Sequence, residues 1–455
     1  MQSRFSCLLA FLAVVLATVS AAAKQPNILL IVADDLGYED LGFQGSADIL
    51  SPNIDALAQG GIRFTDAHTT ASVCSPSRAG LMTGRYQQRF GHESNSPPPP
   101  KGMDTNETTI AQRLSALGYR TAAIGKWHLG TTAEQYPTAR GFDTFYGLRE
   151  GGRGYFYDPA KTDQQGSFRA IERNGQQVPF DGYLTDVLGD QAIKFIDSPN
   201  KQPFFAYLSF TAPHGPMHAT EEDLAKFAHI TNKRRRTYAA MIWAMDRAIG
   251  KVISHLEETQ QYDNTLIWFL SDNGGATNNA SSNLPLAGHK GIKFEGGIRV
   301  PFVMHWPARF PKANVESGLV SALDILPTSV AAAGGRIRSD EPRPLDGVNL
   351  LPFLSGTQSG SPHQELFWHK LWFSAMRDGP WKLIYVQDYG YALYNLDDDL
   401  GEKHNVAAKY PQRVSDMTDR LNNWKSEMPA PLWLEGQQWF RIHSANHIRL
   451  IEGDG

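Results

Sequence analysis

The sequence predicts an α/β protein with a large, doubly wound, mostly parallel sheet flanked by helices. A smaller C-terminal antiparallel sheet with one helix follows. Three observations carry this reading. Short apolar runs alternate with helix-period segments from Asn27 to Trp306, the pattern of βαβ units. Polar groups recur just past the ends of those runs, where an open parallel sheet carries its site. Beyond Phe367 the runs become short and closely spaced, without helices between them.

The chain of 455 residues exceeds one ordinary domain. Residues 1–23 read as a secretory signal peptide. Arg4 gives the positive start, Leu8 to Val19 the apolar run, and Ala21-Ala22-Ala23 the cleavage site. That run is short for a membrane span, and no other stretch is apolar enough for one. The protein is therefore expected to be exported, periplasmic or secreted, or lysosomal in a eukaryote. Cys7 lies in the leader and precedes its apolar run, which argues against a lipid anchor. Cys74 is then the one thiol of the mature chain, and an unpaired cysteine in an exported protein needs a reason. The formal net charge of −4 leaves no basic footprint for nucleic acid. A turn to glycine, proline and charge between Gly334 and Asp346 divides the remainder into a main unit, 24–340, and a C-terminal unit, 341–455.

Asn27 to Val32 reads as a central strand ending in Asp34-Asp35-Leu36-Gly37. Ser51 to Ala58 reads as a capped helix, and Ile62 to Ala67 as a second strand. The prolines at 97–100 mark an exposed loop. After a helix through Leu114 and Leu117, Tyr119 to Ile124 is a strand with Lys126 and His128 at its end. Residues 141–182, rich in glycine and aromatics, read as a long rim loop. Leu184 to Phe195 is helical. Phe204 to Phe210 is a buried strand leading to His214. Lys233 to Arg236 read as the solvated start of a long amphipathic helix whose methionines, Met241 and Met245, face the core. Thr265 to Leu270 is a strand followed by Asp272 and Asn273. Lys290 and Glu295-Gly296-Gly297 precede a strand from Val300 to Trp306. The C-terminal unit shows strands at 367–369, 373–377, 381–385 and 392–396, then a helix near 414–424. Two glycosylation sequons, at Asn106 and Asn279, matter only in a eukaryotic pathway.

The segment Cys74-Ser75-Pro76-Ser77-Arg78 places the thiol at a helix start. Pro76 suits the first turn, and Ser75 and Ser77 read as caps. Free N–H groups and the helix dipole favour an anion there, and Arg78, one turn on, points back to the same place. Asp34, Asp35, Asp272 and Asn273 offer hard oxygen ligands of the kind that suit Ca²⁺ or Mg²⁺. The three carboxylates sum to −3, a charge read here as requiring a metal. Arg78, Lys126, His128, His214 and Lys290 would surround an anion bound to that metal.

These motifs are N-I-L-L-I-V-A-D-D-L-G, C-S-P-S-R with its L-x-T-G-R continuation, G-K-W-H-L-G, A-P-H, S-D-N-G and H-K-G-I-K-F-E-G-G. Together they resemble the type I sulfatases of the alkaline-phosphatase-like superfamily, over about Asn27 to Pro307. Within that family the chain is similar in look to bacterial polysaccharide sulfatases and N-acetylgalactosamine-6-sulfatase. The resemblance implies that a formylglycine-generating enzyme converts Cys74 to formylglycine. It implies one Ca²⁺ held by Asp34, Asp35, Asp272, Asn273 and residue 74. Arg78 would then activate the formylglycine, His128 would orient its hydrate, and Lys126 and Lys290 would bind sulfate oxygens. His214, or Lys290 beside it, would protonate the departing alcohol. Lys290 rather than Lys293 has the spacing to Glu295-Gly296-Gly297 that matches the family.

Export and the aromatic rim point to a sulfated carbohydrate as substrate. His92, Arg153, Tyr157 and His218 are candidate rim contacts, with ordinary loop residues as the equal alternative. Two rival readings are a phosphate or phosphonate monoester hydrolase of the same architecture, and an inactive carbohydrate-binding protein.

Overall fold

The computed structural model describes residues 24–95, 101–160 and 166–453. The leader and the prolines at 97–100 lie outside these residues. Ten strands form the main sheet, in the order β11-β2-β10-β9-β1-β8-β4-β5-β6-β7. They are β1 (Asn27–Ala33), β2 (Ile62–Phe64), β4 (Arg120–Lys126), β5 (Thr144–Leu148), β6 (Glu172–Arg173), β7 (Gln176–Gln177), β8 (Phe204–Ser209), β9 (Thr265–Ser271), β10 (Phe302–His305) and β11 (Asn314–Glu316). The central five, β9-β1-β8-β4-β5, are parallel to one another. β10 runs against both β9 and β2, and β6 against β5 and β7. A two-stranded ladder pairs β3 (Ala67–His68) with β12 (Val320–Ser321).

From Ile28 to Ala33, β1 is apolar at every position because both of its faces are covered. Leu29, Ile31 and Ala33 face a core shared with α1 (Pro52–Gly60), α4 (Leu184–Ile196) and α6 (Lys233–Glu258). Ile28, Leu30 and Val32 face the opposite core, with α2 (Cys74–Thr83), α3 (Ile110–Ala116) and α8 (Ile325–Ala332). Met241 and Met245 are fully buried in the first core. The short α5 (Glu221–Lys226) packs beside α6.

The C-terminal sheet is an antiparallel meander of β13 (Glu365–Lys370), β14 (Phe373–Asp378), β15 (Trp381–Val386) and β16 (Gly390–Asn395). Met417, Leu421 and Trp424 of α10 (Pro411–Ser426) pack on one face. The other face meets α11 (Gln437–Glu452) and the segment 292–298, which includes the one-turn α7 (Glu295–Ile298). The short α9 (Leu351–Leu354) leans on the main core through Leu351 and Leu354.

Several local expectations are corrected. Ile62 to Ala67 is two strands rather than one. The expected rim loop 141–182 contains β5, an integral strand of the sheet. Ser51 does not cap α1. The buried Asp246 of α6 does so, accepting from Asn53 N at 3.0 Å and Ile54 N at 2.8 Å. Ser75 and Ser77 do not cap α2, whose N-cap position is Val73. Arg235 is not simply solvated, since it pairs with Asp40 and Asp48 at 2.6 Å each. The C-terminal unit carries a second long helix, α11, that the sequence did not reveal.

His363, ahead of β13, lies 2.7 Å from the buried Asp324 at the start of α8, tying the two sheets together. Burial pushes the His363 imidazolium toward deprotonation, but the Asp324 carboxylate outweighs it and holds the pKa above 6.5. A raised histidine pKa contributes stability that is complete below 6.5 and fades as pH rises through the folded-state value. His363→Gln is expected to remove that alkaline decline, measured as denaturant midpoints across pH.

Candidate active site

Four neighbouring strands deliver their carboxyl ends to one place. Asp34 and Asp35 follow β1, Asp272 and Asn273 follow β9, His214 lies five residues past β8, and Lys126 closes β4. The chain tightens these ends directly. Asp272 N donates to Ala33 O at 3.0 Å, and Asp34 N to Ala212 O at 3.0 Å. Asp35 sits at φ 63° and His128 at φ 60°, a left-handed backbone that non-glycine residues adopt at a cost. Gly125 has φ 106°, and a Cβ there would lie 1.8 Å from Ser209 O. Only glycine lets β4 and β8 close together beside Lys126.

α2 brings Cys74 to the same point from the other side. The thiol is buried, 3.5 Å from Asp34 Oδ1, 3.7 Å from Asp35 Oδ1 and 3.2 Å from Lys290 Nζ. Ligand atoms of Asp34, Asp35, Cys74 and Asp272 all lie within 4.8 Å of one another. Each carboxylate also has a cation. Lys126 Nζ is 2.6 Å from Asp34, Lys290 Nζ 2.7 Å from Asp35, and Arg78 Nε 2.8 Å from Asp272. Charge balance alone therefore does not require a metal, contrary to the expectation from the summed −3. The oxygen chemistry does fit one. Asn273 donates its amide N–H to Asp35 at 2.8 Å, while its carbonyl oxygen is buried without a hydrogen-bond partner. Three carboxylates and one orphan amide oxygen make a hard-ion donor set, beside which the Cys74 sulfur is a soft donor.

Fully buried Arg78 also donates to Tyr207 Oη at 3.0 Å and Ser209 Oγ at 2.5 Å. Burial would raise the Asp34 pKa, but Lys126, His214 and Arg78 outweigh it and hold the carboxyl well below the carboxylate range. Asp35 is likewise lowered, against burial, by Lys290 and His214. Asp272 is pushed up, by burial first and then by Asp34 and Asp35, against the pull of Arg78. Burial and the nearby Asp272 push the Cys74 thiol up, so it stays neutral. Burial, Lys126 and Arg78 keep His128 uncharged. His214 and Lys290 are the more open members, with side chains 28% and 18% exposed. His214 Nε2 is 3.6 Å from Asp35.

Lys290 rides on a loop pinned from below. Its N–H donates to Gly275 O at 3.0 Å, and Gly291 N donates to Ser72 O at 2.7 Å. Buried Glu295 lies 2.6 Å from Lys382 and 2.9 Å from His68, with Arg377 at 3.3 Å and Arg299 at 3.4 Å. Lys293 points elsewhere, 3.3 Å from Ser72 Oγ.

The rim candidates scatter. Arg153 lines a cavity of about 740 Å³ that opens from Cys74 and His128. His92 is not at a rim: it is fully buried, 2.7 Å from Ser75 Oγ and edge-on to Trp433. Tyr157 packs edge-on to Phe180, and exposed His218 lies against the Phe156 ring, both outside that cavity's lining. Sequence reasoning missed Tyr207 and Ser209, which hold Arg78. It also read Asn279 only as a sequon. That amide is buried and donates to Asp35 O at 3.1 Å, so it is no accessible acceptor.

The chain is similar to known proteins over most of its length. The Sulfatase family matches residues 26–335, and the C-terminal unit of N-sulphoglucosamine sulphohydrolase matches residues 289–427. Arylsulfatase J of Mus musculus is 34% identical across 90% of this chain and 78% of its own. N-acetylgalactosamine-6-sulfatase of Canis lupus familiaris is 33% identical across 74% of this chain and 68% of its own. The crystal structure of Ps i-CgsB in complex with k-i-k-neocarrahexaose superposes with a TM-score of 0.86. It is 38% identical and covers 94% of this chain and 99% of that one.

Removing the Arg78 guanidinium leaves Asp272 buried beside two other carboxylates. Arg78→Met is expected to cost about 3–5 kcal/mol of stability, read by denaturant unfolding. Asp272→Asn in the same background should recover a large part of it.

Proposed function

The chain belongs to the sulfatase family, and on that premise we propose that it removes sulfate from a sulfated carbohydrate by means of a converted residue 74 and one bound Ca²⁺. The observation that carries this is the meeting of Cys74 with Asp34, Asp35 and Asp272 at a helix N-terminus. The carbohydrate class rests on relatives named N-acetylgalactosamine-6-sulfatase and on a neighbour in complex with k-i-k-neocarrahexaose.

Conversion to formylglycine gives the lone thiol its reason. As a cysteine, residue 74 is neutral and hydrogen-bonded to Asp34, a poor nucleophile. As a hydrated aldehyde it would supply an oxygen nucleophile toward sulfur and, through its second hydroxyl, a route for releasing the sulfate. Asp34, Asp35, Asp272, Asn273 and residue 74 would hold the Ca²⁺, which supplies Lewis-acid polarisation of the ester. That ion would compete with Lys126 and Lys290 for carboxylate oxygens, leaving both ammoniums to bind sulfate oxygens. Arg78 keeps its place on Asp272 and stabilises charge on the attacking oxygen. His128, in the cavity wall with Cys74, would orient residue 74. His214, the most exposed of the set, gives its proton to the departing alcohol, with Lys290 beside it as the other donor. Export through the leader at 1–23 brings such a protein to extracellular polymers. No described helix is long and apolar enough to cross a membrane.

The reading is tested on protein co-expressed with a formylglycine-generating enzyme. Mass spectrometry of the residue 74 peptide is expected to show the aldehyde. Hydrolysis should favour an aryl sulfate over an aryl phosphate, should stop with a chelator and should return with Ca²⁺. An active enzyme carrying an unmodified thiol sinks the mechanism, and preference for the phosphate sinks the substrate class.

A further inference from the structure

Two cavities, not one, meet at this site. The first is the cavity of about 740 Å³ beyond Cys74 and His128, edged by Arg149, Arg153 and Arg169. The second, of about 670 Å³, leaves the same centre in another direction along the C-terminal segment. They share Asn95, His214 and Lys290 in their walls, so they are two arms of one cleft that flank the reacting groups. Either volume is already in the range of a complete ligand pocket, ~300–1,000 Å³. One sugar unit does not need both.

The second arm is built by α11 and the loop before it. Trp439, Ile442, His443 and Asn446 recur at helical spacing and present one face of α11 to the cavity. Trp433 and Leu434 continue that wall. The helix is not free to move off. His447 Nε2 accepts from Lys293 N at 2.9 Å, and a Cβ at Gly291 would lie 2.8 Å from His443 Nε2. α11 is therefore seated on the very loop that carries Lys290. Yet the outer groups of this wall are left to water: Ile442 and Trp439 of α11 are 48% and 45% exposed, and Leu434 of the preceding loop 72%. Large apolar groups held on a fixed helix, beside a polar cleft, match the flat C–H faces of sugar rings. Lys370 in its wall is buried and neutralised by Glu435 at 2.9 Å, so this arm offers apolar faces rather than net charge. The opposite arm reaches solvent at exposed Arg169, paired to Glu150 at 2.8 Å.

We propose that this face of α11, with the loop carrying Trp433 and Leu434, binds the sugar units adjoining the one that loses sulfate, so that the enzyme works within a polysaccharide chain rather than on its terminal unit. The inference rests on the carbohydrate sulfatase reading above.

The test uses the full, converted protein with a panel of sulfated saccharides and an aryl sulfate. The panel member desulfated fastest is then supplied as its di-, tetra- and hexasaccharide. Expected is an increase in kcat/KM of about tenfold from the shortest to the longest, carried by KM, with internal sulfates lost before terminal ones by mass spectrometry. Trp439→Ala, and separately Leu434→Ser, should each lower the ratio of hexasaccharide to aryl sulfate kcat/KM by several-fold to about tenfold. Rates independent of length, or loss of terminal sulfate alone, overturn the proposal. Release from the aryl sulfate with none from any saccharide also overturns it, while leaving sulfatase chemistry intact. No release from any ester, the aryl sulfate included, overturns the sulfatase reading itself.

Discussion

The molecule is organised around three buried carboxylates that share a space in which none is stable alone. Asp34, Asp35 and Asp272 are at most 2% exposed. Taking each out of water costs several kcal/mol, and their mutual repulsion adds to that. The fold meets this cost by converging three cations on them: Lys126 from β4, Arg78 from α2 and Lys290 from the loop before α7. Those cations come from three separate stretches of chain, so the charge pattern can be satisfied only when the sheet, the helix on its face and the loop are all in place. The carboxyl ends of β9, β1, β8 and β4 are adjacent in the sheet. That adjacency makes the convergence geometrically possible.

A second buried cluster extends the same logic to the C-terminal sheet. Glu295 receives Lys382 and Arg377 from that sheet, and His68 and Arg299 from the main unit. Glu402 accepts its backbone N–H at 2.6 Å. The Lys290 loop is thus clamped between the two sheets. The same carboxylate thereby ties the C-terminal sheet to the loop that carries Lys290. Asp66, His68 and Glu295 have the spacing of a metal site, but the cations around them already occupy that role.

How much of this was legible depended on whether the signal was local. Buried parallel strands advertise themselves as apolar runs, so β1, β4, β8 and β9 were readable, and the polar residues at their ends came with them. β5 was not, because Gly147 interrupts it and Thr144 is exposed at its start, which made the run look like loop. α11 was missed for a different reason. Its buried positions are His443, His447 and Ile451. Two histidines and one isoleucine do not make an apolar stripe, although the helix packs as closely as an apolar one would. The partners of Arg78 were also invisible. Tyr207 and Ser209 sit inside a strand whose residues all read as core, and nothing in spacing separates a tyrosine that packs from one that orients a guanidinium. His92 erred the other way: a polar residue in a loop-like stretch turned out to be fully buried beneath Ser75.

The placement of Cys74 makes the strongest case for a changed side chain. A catalytic thiol needs an environment that favours the thiolate: a helix N-terminus and cations, with little competing negative charge. Cys74 has the helix end and Lys290, but it faces Asp34 and Asp35, and Asp272 acts on it from close by. Those carboxylates cancel what the lysine supplies, and burial removes the rest, so a cysteine in this position is held as a neutral donor to Asp34. The same surroundings suit a neutral hydroxyl-bearing group well. The carboxylates can accept its protons or share a cation with it, and Arg78 and Lys290 can stabilise negative charge when it develops on oxygen instead of sulfur. This is the electrostatic support for the proposed conversion: the site holds the encoded thiol neutral and leaves an oxygen-bearing group at 74 with both acceptors and cations at hand.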